Sequence, residues 1–248
     1  MEKNDNIYDK IQEILGEIPG NLSVQQQQID VEVQMAYYRM AETVEKELDA
    51  QRVMGEKELL FSDGVNQEKK KRLLTQLANI PTIESYRTLE KYAGNADREL
   101  HDWALLAMQE NKLMLESNLL DENKILISTG LGGRGLKLRY FTALITRSGM
   151  KFSPFEKKLI HSEIRYHLNQ CHAEIELVRF DRELCRMVSV IPLNVSIHHL
   201  FDQFIMECNL FGDFINPDYL ITNVRILTVR QIRSLIRPVK KKKPGYHQ

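Results

Sequence analysis

Lys124-Ile125-Leu126-Ile127-Ser128-Thr129-Gly130-Leu131-Gly132-Gly133-Arg134-Gly135-Leu136-Lys137-Leu138-Arg139-Tyr140-Phe141 is the stretch on which the fold turns. Upstream, apolar residues recur at helical spacing. From here on they come in short runs and alternations broken by glycine, which is the pattern of strands and turns. Ile125, Leu126 and Ile127 form one strand-like run within residues 124–129. Leu138, Tyr140, Phe141, Ala143, Leu144 and Ile145 mark a second over 137–146. The glycines between them read as a hairpin turn joining the two.

The glycines also fit G-x-G-x-x-G at Gly130, Gly132 and Gly135. A dinucleotide site needs a helix next, so that backbone N–H groups and the helix dipole face the pyrophosphate. The next residues, Leu136 to Phe141, are strand-like, so the motif lacks its context and reads as a loop. Glycines still let backbone approach a phosphate closely, and Arg134, Lys137 and Arg139 supply positive charge beside them. These three are candidate polyanion contacts.

Charge changes sign at the same place. Residues 1–123 hold 14 Lys/Arg and 24 Asp/Glu, and residues 124–248 hold 20 and 10. The whole chain is formally neutral. Together with the change of pattern, the split predicts an acidic helical domain over 1–123, a basic α/β domain over 124–236 and a basic disordered tail over 237–248.

Towards the C-terminus, Ser153-Pro154-Phe155-Glu156 predicts a helix start with a capping box and proline at the first position. Its stripe runs through Leu159, Ile160, Ile164, His167 and Leu168 to about residue 172. Strands are expected next over 173–180 and 184–193, then a helix from Ser196 through Leu200, Phe201, Phe204, Ile205 and Cys208. A fifth strand is expected over 219–228 and a short helix over 229–236. The order is β-β-α-β-β-α-β. Without its first strand it is the ferredoxin-like arrangement, an α/β sandwich with helices on one sheet face.

Towards the N-terminus, helices are expected over 6–15 and about 29–50. The second carries Val33, Tyr37, Met40, Ala41, Val44 and Leu48 on one stripe and Glu42, Glu45, Glu47 and Asp49 opposite. The tract Gln25-Gln26-Gln27-Gln28 between them reads as a flexible link or a helix start. After a turn at Gly64, three helices are predicted: 68–80, a second from Thr82 to Tyr92, and a third opened by Asp97 and reaching Leu120. Leu77-Ala78-Asn79-Ile80-Pro81, then Leu89, Tyr92 and Gly94, and Ala96-Asp97-Arg98 with Trp103-Ala104-Leu105-Leu106-Ala107, resemble HEAT-type helical repeats over roughly 66–118. The resemblance implies an antiparallel helical binding scaffold without chemistry. The fold class expected for the whole chain is α+β.

No apolar run approaches the ~20 residues that span a bilayer. Three cysteines, Cys171, Cys185 and Cys208, sit in apolar segments and do not make a secreted disulfide framework. A cytoplasmic protein with reduced thiols is expected. His167 and Cys171 share a helix face, and Cys185, His198 or His199 invite a metal reading. Zinc sites draw on compact pairs such as C-x-x-C, and the sequence has none, so neither metal nor cofactor is expected. No nucleophile motif and no P-loop is present, and the chain is read as non-enzymatic.

The tail is the strongest binding signal. Arg237, Lys240, Lys241, Lys242 and Lys243 come after Arg230 and Arg233, and Pro238 and Pro244 exclude helix. Such a segment threads onto a polyanion and releases counterions. The expectation is an adaptor that binds RNA or a ribonucleoprotein through its basic half and a protein through its acidic helices. Self-association through the opposite charges, or a small-ligand sensor at the glycine loop, are the alternatives.

Overall fold

The computed structural model describes residues 21–121 and 124–236, in a mixed α+β architecture. The helix expected over 6–15 and the tail from Arg237 onward lie outside those residues. The chain divides into two compact units. One draws on residues up to Arg139 together with Val190–Ser196, the other on Tyr140–Ser189 and residues from Ile197 onward.

The first unit is built on helices with polar caps. α1 (Val31–Glu45) starts at Asp30, whose carboxylate accepts the Glu32 N–H at 2.8 Å. α2 (Ala50–Glu56) starts at Asp49 and runs into a 3-10 turn at Lys57–Phe61; the sequence pattern announces neither. α3 (Gln67–Ala78) and α4 (Ile83–Ala93) begin at Asn66 and Thr82, whose side chains accept the Lys69 and Ser85 N–H groups. α5 (Arg98–Leu120) begins after Asp97. Each such side-chain cap satisfies an orphan donor of the first turn and is worth ~1 kcal/mol.

α3 packs against α1, α4 and α5, and α5 packs against α1 and α4. They share one core that includes Tyr37, Leu74, Leu77, Leu89, Leu100 and Trp103. Removing each large apolar side chain from water contributes roughly 1.5–3 kcal/mol. Several polar groups inside this core are paired. Trp103 donates its indole N–H to Thr75 Oγ1 at 3.0 Å. The Asn111 amide donates to the carbonyls of Leu77, Ala78 and Ile80 at 3.0, 3.1 and 2.7 Å. Those carbonyls lie at the end of α3, where intrahelical partners run out. Tyr37 donates its hydroxyl to Glu110. Burial holds the Glu110 carboxyl above its ordinary range, against the opposing pull of the Tyr37 bond.

A two-stranded parallel sheet completes this unit. β1 (Leu22–Val24) pairs with β2 (Ile125–Ile127), Leu22 opposite Ile125 and Val24 opposite Ile127. This corrects the expected hairpin. β2 does not pair with the next long strand. The hairpin instead joins β3 (Gly133–Arg134) to the start of β4 (Lys137–Ile145), with Gly133 opposite Leu138. β2 takes β1 as its partner because β1 satisfies its backbone groups from a hundred residues upstream.

In the second unit the chain order is β4, α6 (Pro154–Gln170), β5 (Glu174–Asp181), β6 (Leu184–Pro192), α7 (Ile197–Asn209), β7 (Leu220–Thr222), α8 (Val229–Ile236). The strand order across the sheet is β7-β4-β6-β5, and β7 runs antiparallel to β4. The predicted capping box is present: Ser153 Oγ accepts the Glu156 N–H at 3.3 Å, and Glu156 Oε2 accepts the Ser153 N–H at 2.7 Å. β5 has a wet face, with Glu174 and Glu176 exposed, and Arg179 is exposed on the opposite face, as an edge strand allows. β7 is shorter than expected, because the Thr222 hydroxyl accepts the Val224 N–H and turns the chain out of the sheet. α6 packs against α7 and β5. No described helix is long and apolar enough to cross a membrane.

Candidate functional site

The glycine loop is filled by the protein itself. Gly132 has φ +64°, and a Cβ there would lie 2.4 Å from the Gln27 carbonyl oxygen and 2.7 Å from that of Gln26. A Cβ on Gly133 would lie 2.1 Å from the Lys137 carbonyl oxygen and 2.7 Å from a Val24 methyl. The close approach that the glycines permit is therefore to the Gln25–Gln28 backbone and to their own hairpin.

The glutamine tract is correspondingly neither a flexible link nor a helix start. Gln25 is fully buried, its backbone N–H donates to the Ile127 carbonyl at 2.9 Å, and its side-chain oxygen accepts from Ser128. Gln26 accepts the Gly135 N–H at 3.1 Å and donates to the Val24 carbonyl at 2.8 Å. Gln34, on α1, donates to the carbonyls of Ile29 and Thr129. Side-chain amides here stand in for a third strand. On its other side the tract borders a cavity of about 260 Å³ towards α4 and α5, where the Gln109 side-chain oxygen is buried without a hydrogen bond.

Of the candidate cations by the loop, Arg134 is exposed, at the tip of the β3–β4 hairpin. Lys137 and Arg139 are half-buried. Arg139 donates to the Leu131 carbonyl at 2.7 Å and so braces the glycine loop from inside the first unit. In the second unit Arg230 is exposed on α8, while Arg233, one turn on, holds Glu183 at 2.8 Å. That ion pair helps to keep the Glu183 carboxyl below its usual range, after a backbone hydrogen bond to the same carboxylate. Arg237, Lys240, Lys241, Lys242 and Lys243 lie outside the described residues.

This placement sharpens the charge split. Residues 124–139, in the first unit, add four cations and no anion. The second unit up to residue 236 is nearly balanced, with 11 Lys/Arg and 10 Asp/Glu. The basic surplus of the C-terminal half thus resides in the loop region and in the tail.

Of the two adjacent aromatics on β4, only Tyr140 is part-exposed. Phe141 is buried, and burial pushes the Tyr140 hydroxyl up to about 12. Cys185 and Cys208 are buried, and Cys171 is half-buried. Burial raises the Cys185 thiol, and it pushes Cys208 up to about 12 with help from the Glu163 and Glu207 carboxylates. Thiols of that kind stay protonated and behave as small hydrophobes. The Cys171 thiol points back at the His167 and Leu168 carbonyls, and His198 pairs with the Tyr219 hydroxyl at 3.2 Å. The cysteine–histidine set considered from the sequence does not assemble among the described residues.

No protein-family model matches the chain, and comparison with curated proteins finds no match.

Proposed function

We propose that this chain is a non-enzymatic adaptor that binds a polyanion, RNA or a ribonucleoprotein, through its basic C-terminal residues and a protein through its acidic helices. The observation that carries the reading is the placement of charge. The second unit up to residue 236 is balanced, and Arg237 with four lysines comes immediately after it. A run of cations beyond a neutral body serves a polyanion better than it serves the body, since it neutralises phosphates and releases their counterions. The exposed Arg230 on the preceding helix and Arg134 at the hairpin tip extend the set.

Two further observations favour phosphate contacts over base reading or small-ligand binding. Of the β4 aromatics Phe141 is buried and Tyr140 half-buried, whereas RNA-binding sheets stack bases on exposed aromatics. The glycine loop is occupied by Gln26 and Gln27, which fill the approach a bound phosphate would use. For the protein partner, the outer face of α1 exposes Glu32, Met35, Tyr38, Arg39, Glu42 and Glu45, a charged face of net negative sign with two apolar anchors. The reading places the protein in the cytoplasm, where its polyanion partner resides and its three thiols stay reduced.

Affinity purification of the tagged chain from its native host, with and without nuclease, tests this. RNA recovered with the chain and lost on nuclease treatment, with a protein partner retained, is the expected result. An eluate free of nucleic acid, unchanged by nuclease, overturns the polyanion half of the reading.

A further inference from the structure

We propose that Glu163, His167 and Glu207 form a binding site for one divalent transition-metal cation of the zinc class, which clamps α6 to α7. Glu163 and His167 are four residues apart on α6 and therefore share one helix face. α7 packs on that helix and brings Glu207 to the same place. The three ligand atoms lie within 4.8 Å of one another.

Their surroundings suit a metal. The His167 side chain is 8% exposed, and its ring stands edge-on to Phe204 and Tyr166. That packing fixes the imidazole and aims Nε2 at Glu207 Oε2, 3.1 Å away. Tetrahedral zinc holds nitrogen and oxygen ligands at about 2.0–2.2 Å, which sets neighbouring ligand atoms about 3.3 Å apart. The Nε2–Oε2 pair already has that spacing. Glu163 is only half-buried, so a rotamer change closes the remaining distance.

Charge balances as well. Two carboxylates and a neutral imidazole carry −2 against a cation of +2. An imidazole nitrogen among carboxylate oxygens favours zinc-class ions over magnesium or calcium. The Glu207 side chain is 40% exposed, so the fourth position is open to water. The ligands come from two helices that follow one another in the chain across the β5–β6 hairpin, and metal binding would add its free energy to their packing.

An ordinary His167–Glu207 ion pair is the competing account, and Glu163 distinguishes the two, because it takes no part in that pair. The full chain, stripped with chelator, is titrated with Zn²⁺ alone by calorimetry and followed by thermal unfolding. The expected result is one ion per chain, with Kd raised at least tenfold by Glu163→Gln and by Glu207→Gln and unchanged by His198→Gln. Zn²⁺ raises the unfolding temperature of the wild type and not of Glu163→Gln. The His167 ring nitrogen resonance, read on the wild-type chain, shifts on adding one equivalent. An unshifted resonance, or a Glu163→Gln chain that binds Zn²⁺ as tightly as wild type, overturns the proposal.

Discussion

Replacing Gly132 by alanine separates a filled glycine loop from a merely flexible one. The new methyl would sit 2.4 Å from the Gln27 carbonyl oxygen, where ordinary contact begins at 3.4 Å. The glutamine tract must then retreat by roughly 1 Å, the shortfall from a normal carbon–oxygen separation. That movement strains the Gln26–Gly135 bond and the buried contacts of Gln25 with Ser128 and Ile127. Buried polar groups left unpaired cost about 1–3 kcal/mol each. With the left-handed backbone adding about 1 kcal/mol for an alanine, Gly132→Ala is expected to cost about 3–4 kcal/mol.

Gly135→Ala is the matched control. Gly135 also has positive φ, at +57°, but nothing lies within 4 Å of its Cβ position. It should cost about 1 kcal/mol, from backbone strain alone. Trp103 is the only tryptophan in the chain and lies in the core of the unit that holds the loop. Its fluorescence during unfolding, by heat or by urea, therefore reports this unit. At about 2–4 °C per kcal/mol, Gly132→Ala should melt roughly 6–16 °C below wild type and Gly135→Ala only about 2–4 °C below. Equal costs for the two substitutions would refute the close packing of the glutamine tract on the loop.

Two other substitutions probe the helical core. Asn111→Ala removes a buried donor shared by three carbonyls; Leu77 and Ile80 keep the Ser85 hydroxyl and the Thr82 N–H, so the loss falls on the Ala78 carbonyl and should destabilise by about 1–3 kcal/mol, read by the same tryptophan signal. Glu110→Gln keeps an acceptor for Tyr37 and removes a buried titration. Because burial raises the folded Glu110 above its ordinary range, the folded state holds its proton longer than the unfolded one. Stability from this group is present at low pH and falls as pH rises from the usual glutamate range through the raised value. Urea midpoints of wild type and Glu110→Gln should therefore diverge with rising pH, in favour of the variant; parallel curves would contradict the assignment.

The parts of the fold carried by local chemistry were legible in the sequence. Thr82 and Ser153 cap helices from within a few residues, and the stripes beside them set α3, α4, α5 and α6 to within two or three residues. The α+β class came from the change of pattern at Lys124. Long-range pairing was not legible. β1 is three residues long, and its partner Ile125–Ile127 lies a hundred residues away, so nothing near Leu22 announces a strand. Without β1 and the glutamine tract beside it, a hairpin turn and a phosphate approach are the readings the glycines offer. Four consecutive glutamines look like a linker by composition, yet Gln25 is buried because Ser128 and the Ile127 carbonyl meet it. In the same way, Glu163 and His167 show their shared face at i and i+4, whereas Glu207 joins them only through the packing of α7 on α6.

The central claim, a polyanion held by cations beyond a balanced body, is tested most directly by the salt dependence of single-stranded RNA binding. Kd is measured across a salt series for the full chain and for a chain ending at Ile236. Each phosphate neutralised on a single strand contributes about 0.7 to the slope of log K against log salt. Deleting the tail removes five cations. Weaker binding after deletion is predicted, with a slope shallower by up to about 3.5. A full chain that fails to hold RNA at low salt, or a truncation that leaves affinity and slope unchanged, would contradict it.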